Sequence, residues 1–195
     1  MKTILNYIDG KLIPAQSNQF LDNINPSNGK VYSKITDSQA EDVEKAVKAA
    51  ENAFSSWSNT TLATRSQVLT KIADLIESKL ESLALAESID NGKPLDLAKT
   101  VDIPRAASNF RFYAQALSQF YSESHENQGL NTINFTLRKA LGIVGCISPW
   151  NLPLYLFTWK IAPALAAGNC VIAKPSEVTP MTAFLLSKIC QEAGL

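Results

Sequence analysis

Apolar and polar residues change their period several times along this chain, and each change marks an element. Over residues 4–35, short apolar runs alternate with turn residues. Asp9-Gly10 is a hairpin signal between Leu5-Asn6-Tyr7-Ile8 and Lys11-Leu12-Ile13. Asn25-Pro26-Ser27-Asn28-Gly29 marks a second turn before Val31-Tyr32-Ser33-Lys34-Ile35. Helical spacing then takes over. Ser38 and Glu41 have capping-box spacing, and Ala40, Val43, Val47, Ala50 and Phe54 fall on one face. A second helix, from about Leu62, buries Val68, Leu69, Ile72, Leu75 and Ile76. A third carries Leu80, Leu83 and Ala84 and stops at Asn91-Gly92, with Pro94 beyond. Leu95 to Tyr121 keeps the helical period, but Pro104 predicts a break or kink, with Phe110, Tyr113, Ala114 and Leu117 as the buried face after it. Ser122 to Leu130 is polar and reads as a loop in which the one histidine, His125, is solvated and has no role. Asn131 to Arg138 alternates, the pattern of a half-buried strand.

The most informative stretch is Leu141 to Glu177. Ile143-Val144-Gly145-Cys146-Ile147 has the length of a buried strand, and Ser148-Pro149-Trp150-Asn151-Leu152-Pro153 cannot continue it. Leu154 to Ala167 reads as a helix stopped by Gly168-Asn169, and Cys170-Val171-Ile172-Ala173 reads as a second strand, ending at Lys174-Pro175-Ser176-Glu177. Strand, crossover helix and strand imply parallel neighbours in one sheet. Both polar clusters follow a strand directly, so Asn151 and the Lys174/Glu177 pair are expected to line one crevice outside the carboxyl edge, where open α/β sheets bind ligands. Thr179 and Pro180 suit a helix start, and Gly194 a stop before Leu195. The alternation of strand and helix predicts a further parallel strand beyond Leu195, so the chain reads as the amino-terminal part of a longer protein.

Three of these segments carry a family likeness. Ser148-Pro149-Trp150-Asn151-Leu152-Pro153, Trp159 through Asn169, and Ala173-Lys174-Pro175-Ser176-Glu177 resemble the aldehyde dehydrogenase superfamily. The likeness extends back through Tyr7-Ile8-Asp9-Gly10-Lys11, Asn25 to Gly29, Ala53-Phe54-Ser55-Ser56-Trp57 and Asn91-Gly92-Lys93-Pro94, and among subfamilies it leans to the muconic-semialdehyde dehydrogenases. It implies an α/β fold, with a Rossmann-like parallel sheet and flanking helices. Residues 1–121 would be the helical and strand part of the cofactor domain, 122–141 a strand excursion for subunit association, and 142–195 the first βαβα half of the NAD site. Ile133, Phe135 and Leu137 would face a partner subunit in a homodimer or homotetramer; the alternative is a local hairpin face.

The likeness also implies roles. Asn151 would hold the oxyanion of a thiohemiacetal, since a fixed amide donor stabilises developing negative charge; on residue type alone, an Asx-turn is its rival. Lys174 and Glu177, with Ser176 between them, would grip a ribose diol of NAD, an ammonium donating and a carboxylate accepting. Alternatively Lys174 is a solvated strand end and Glu177 favours a helix dipole. A carboxylate there repels a 2′-phosphate, so NAD is expected over NADP. Ile147, Ser148 and Trp150 would flank the nicotinamide half and the adenosine ribose, or serve only as core and turn residues. Arg111 reads as structural. No Gly-x-Gly-x-x-Gly follows the first strand; the family's glycine turn, nucleophilic cysteine and general-base glutamate fall beyond residue 195. None of Cys146, Cys170 or Cys190 stands in the nucleophile's motif, so this chain alone is expected to be inactive. The rival classes are a non-catalytic nucleotide-binding or subunit-interaction fragment, and an enzyme using Lys174 for amine chemistry.

Composition narrows this only at the margins. The 195 residues fit one ordinary domain, and 46% apolar residues can form a core. Eighteen basic residues balance 18 acidic ones, which gives no electrostatic case for nucleic acid or a membrane surface. No apolar run reaches the roughly 18 residues of a spanning helix. Three cysteines without metal-ligand spacing, and an N-terminus too polar for a secretory signal, point to a reducing, cytoplasmic setting with no metal. The partners expected are an aldehyde substrate and further copies of the chain.

Overall fold

The structure, a computed structural model, describes residues 2–195. Its first part is strand-rich: β1 (Lys2–Ile4), β2 (Asn6–Ile8), β3 (Lys11–Ile13), β4 (Phe20–Asn25) and β5 (Lys30–Thr36). β2 and β3 form the hairpin expected around Asp9-Gly10, both in the left-handed region at φ 52° and 70°. β5 lies between β1, parallel, and β4, antiparallel. The Asn25 carboxamide accepts the Ser27 N–H at 2.9 Å and shapes the turn between β4 and β5.

Four helical stretches follow: α1 (Ala40–Ser58), α2 (Leu62–Ser78), α3 (Leu80–Asn91) and a run from Leu95 to Gln119. α1 begins one residue later than the spacing suggests. Asp42 Oδ2 accepts the Gln39 N–H at 3.0 Å, whereas the Ser38 hydroxyl is taken by the Asn6 amide at 2.8 Å. The expected apolar face of α1 is only half covered, with Ala40 and Val43 exposed. A groove of 720 Å³ runs between Val43, Ala46, Ala50 and Trp57 and the second parallel strand described below, which leaves that face partly open among the described residues.

The helix break expected at Pro104 is a change of ladder, with the chain staying helical. α4 (Leu95–Leu97) passes through a π-helical turn (Ala98–Asp102) into α5 (Ile103–Ala116), and a short 3₁₀ turn ends at Gln119. The wider turn accommodates Pro104, which has no N–H to donate and sits in the first turn of α5.

Residues placed in a polar loop form a strand instead. β6 (Ser124–Asn127) pairs antiparallel with β7 (Thr132–Phe135), and His125 meets the Asn134 amide at 3.2 Å. The alternation in β7 does not half-bury it. Ile133, Phe135 and Leu137 are 66–73% exposed, because no other element among the described residues covers this hairpin.

The final section follows the expected order: β8 (Ile143–Ile147), α6 (Pro153–Ala166), β9 (Cys170–Lys174) and α7 (Met181–Ala193). β8 and β9 are parallel, in register from Ile143 opposite Cys170 to Ile147 opposite Lys174. They are not the fully buried strands expected: Cys146 and Cys170 are buried, but Ile147 is 73% exposed. Among the described residues the sheet has only these two strands, so each has an open edge. α7 starts one residue later than expected, with Pro180 at the N-cap position and no side-chain cap, and the Thr179 hydroxyl turns to the Trp150 carbonyl at 3.5 Å.

One continuous core joins early and late elements. Leu69, Ile72 and Ile76 of α2 and Phe110 of α5 pack with Leu154 and Ile161 of α6 and Leu186 and Ile189 of α7. The carbonyls left free at the end of α6 are satisfied from outside the helix. Trp57 Nε1 donates to Leu165 O at 3.2 Å, Arg65 Nε to Ala166 O at 3.0 Å, and Asn169 Nδ2 to Ala164 O at 3.1 Å. Asn169 Oδ1 also accepts the N–H groups of Leu141 and Gly142, which ties the end of α6 to the start of β8. Phe110 is fully buried at the centre of this core, so Phe110→Ala is expected to lower the urea-unfolding free energy by about 3–5 kcal/mol.

Candidate active site

The parallel register decides where the polar loops leave the sheet. Ile147 and Lys174 are opposite each other, and the Ser148 N–H donates to Lys174 O at 3.1 Å, so the ladder runs one residue into the first loop. The two loops then touch where Thr179 reaches the Trp150 carbonyl. Each expected site residue thus sits at this edge, in distinct settings. Ser148 is buried, its hydroxyl donating to Leu156 O at 3.5 Å, while Ile147 and Trp150 are largely exposed. Ser176 is buried, with its Oγ accepting the Val178 N–H at 3.4 Å. Lys174 and Glu177 are both exposed and form an ion pair of 2.7 Å, which lowers the Glu177 carboxyl below its usual range.

A groove of 490 Å³ takes in Lys174, Pro175, Ser176 and Glu177 with Phe157, Ile161 and Phe184. Ile147, at the end of β8, and Ser148, Trp150 and Asn151, on the loop after it, do not line this groove, which opens toward α6 and α7, so the one crevice expected to hold Asn151 together with Lys174 and Glu177 is not formed by the described residues. Asn151 is exposed. The Asx-turn alternative lacks its donor, since the residue two positions on is Pro153, and the Leu154 N–H is already given to Glu87 Oε2 at 3.4 Å.

Beneath this loop lies a charged cluster the sequence reading did not single out. Lys93, 7% exposed at its side chain, is held between Glu87 at 3.5 Å and a tight contact with Asp102. Glu87 and Asp102 are fully buried. A signal was available: Glu87 falls three and four residues after Ala84 and Leu83, on the buried stripe of α3. Arg111 is a surface group, paired with Asp74 and Glu77 at 2.9 and 2.7 Å. All three cysteines are free and buried, and burial raises each thiol, Cys190 to about 12, the opposite of what a nucleophile needs. No cluster of metal-ligating side chains occurs among the described residues, and no helix there is long and apolar enough to cross a membrane.

Parallel strands, a crossover helix and polar loops at one sheet edge define the class as α/β. The family follows from likeness: the model of the aldehyde dehydrogenase family matches residues 12–195, and the chain belongs to that family. It is 51% identical over 190 residues to the human 2-aminomuconic semialdehyde dehydrogenase, covering 97% of this chain and 39% of that protein. It is 40% identical over 199 residues to the 2-hydroxymuconic semialdehyde dehydrogenase of Pseudomonas sp. (strain CF600), covering all of this chain and 41% of that one. An NAD+ complex of an aldehyde dehydrogenase from Bacillus cereus superposes with a TM-score of 0.96 at 36% identity, over 100% of this chain and 40% of that chain. The chain therefore spans about two fifths of the length of these relatives.

Glu87 carries a pH signature. Burial raises its carboxyl from 4.5 to about 7, against the opposing pull of Lys93. The folded chain holds this proton more tightly than the unfolded chain, so the associated stability is complete below about 4.5 and is lost as pH rises to about 7. Urea titrations at a series of pH values are expected to show this fall, and Glu87→Gln to flatten it.

Proposed function

We propose that this chain is part of an NAD-dependent enzyme that oxidises an aldehyde of the muconic-semialdehyde type to a carboxylate. The observation that carries the reading is the side-by-side exit of two loops from one sheet edge, set by Ile147 opposite Lys174. In a chain of this family, those loops hold the motif asparagine and the motif lysine and glutamate. Asn151 donates its side-chain N–H to the oxygen of the attacked carbonyl as that oxygen becomes an anion. The attacking cysteine and the general-base glutamate belong to parts of the enzyme outside these residues, so this chain by itself turns over nothing.

Lys174 and Glu177 fit a ribose diol in type: an exposed ammonium and an exposed carboxylate 2.7 Å apart can donate to and accept from adjacent hydroxyls. Ser176 orders the loop between them through its bond from Val178, and Ile147, Ser148 and Trp150 flank the same coenzyme. Bound there, NAD would accept the hydride of the aldehyde. Glu177 disfavours a 2′-phosphate by like-charge repulsion, so NAD is preferred to NADP. Lys174 is exposed and paired with Glu177, not in the desolvated setting that activates a lysine for amine chemistry. The β6–β7 hairpin, with Ile133, Phe135 and Leu137 outward, serves subunit association in a homodimer or homotetramer.

Two measurements on the complete enzyme test this. Asn151→Ala is expected to lower kcat about 10²–10³-fold, and an unchanged kcat would remove the oxyanion role. Glu177→Ser is expected to raise the kcat/KM ratio of NADP over NAD at least about fivefold, the worth of one repulsion of about 1 kcal/mol at 4 Å even in water. No change in that ratio would remove the assignment of coenzyme preference to Glu177.

A further inference from the structure

The loop that carries Asn151 is held from beneath at three successive points, all from the end of α3 and the turn after it. Asn91 Nδ2 donates to the Trp150 carbonyl at 2.9 Å, Lys93 Nζ to the Asn151 carbonyl at 3.4 Å, and Glu87 Oε2 accepts the Leu154 N–H at 3.4 Å. Glu87 and Lys93 also belong to the buried cluster with Asp102, in which Glu87 Oε1 and Asp102 Oδ1 have no hydrogen-bond partner. We propose that Glu87, Lys93 and Asp102 form an ionic clamp that positions Asn151, with Lys93 as the group that reaches the loop. The proposal rests on the reading of Asn151 as oxyanion donor.

A buried ion cluster is a poor way to gain stability, because desolvating the charges offsets their attraction. Directional rigidity is what this one supplies. Two carboxylates from different elements, α3 and the π-helical turn, fix the ammonium from two sides. The fixed ammonium sets the height of the Asn151 carbonyl, and Glu87 sets the first turn of α6 on the far side of Pro153. An amide donor stabilises an oxyanion only from the correct place, and an error of about 1 Å can cost about 10²-fold in rate. These are positioning residues: they act through Asn151 and touch no reacting atom.

The test is a double-mutant cycle in the complete enzyme, comparing Asn151→Ala, Lys93→Met and the two combined, with near-UV circular dichroism and thermal melting to report folding. Lys93→Met strands two carboxylates, so the charge-balanced double change Lys93→Met with Asp102→Asn is made in parallel. The Lys93 variants are expected to lower kcat about ten- to a hundredfold, to leave KM for NAD within about twofold, and to cost nothing further when Asn151 is already alanine. A folded Lys93 variant with normal kcat, or one whose loss multiplies with that of Asn151→Ala, overturns the clamp. Failure of both Lys93 forms to fold also overturns it, by making the cluster a stability element. A normal kcat for Asn151→Ala overturns the oxyanion reading instead, and is visible in that single variant.

Discussion

The in-register parallel pairing of β8 with β9 is the constraint on which the rest of the site depends. Side chains alternate along a strand, so a slip of one residue would turn every side chain to the other face and move Ile147 away from Lys174. The pairing is fixed at both ends. At the start, one asparagine side chain, Asn169, caps the end of α6 and accepts two N–H groups just before β8. At the finish, the Ser148 N–H bonds Lys174 O, and the emerging loops meet through Thr179 and Trp150. With two strands among the described residues, the precision comes from these ties more than from the sheet itself.

The helices supply the rigidity that the sheet lacks. α2, α5, α6 and α7 share one apolar core, and two polar assemblies outside its apolar contacts join distant parts of the chain. Arg65 links the α1–α2 turn, through Thr60 O at 2.8 Å, to the end of α6. Asp90 binds Asn23 and Tyr32 from the strand-rich start and accepts the Met181 N–H at 2.8 Å, placing the first turn of α7. Burial raises the Asp90 carboxyl, and desolvation, then the neighbouring Asp90, raises Tyr32 as well. Such groups are costly to bury, and each is offset by hydrogen bonds that only the assembled fold provides.

Much of the candidate site was legible because its signals are local. Pro149 and Pro153 stop the strand and open α6, Gly168 at φ 87° ends the crossover, and the apolar runs have the length of strands. The errors arose where the outcome depends on neighbours distant in sequence. Ser38 has the right spacing for a cap but is recruited by Asn6, 32 residues earlier. Thr179 has the right chemistry but is drawn to Trp150. The face of α1 and the alternation of β7 predict burial, which happens only if something packs there. The polar stretch around His125 became a strand because β7 offers it a ladder.

Local signals were enough for the helices α1 to α3, the order from β8 to α7, and the adjacency of two polar loops at one sheet edge, since glycine, proline and hydrophobic period act through the backbone within a few residues. What lies under those loops depends on contacts between residues far apart along the chain. Glu87, Lys93 and Asp102 come from three places on a helical framework, and no local rule brings a lysine between two carboxylates. Their meeting beneath Asn151 follows from how the helices pack around a shared apolar core, a free energy summed over the whole chain.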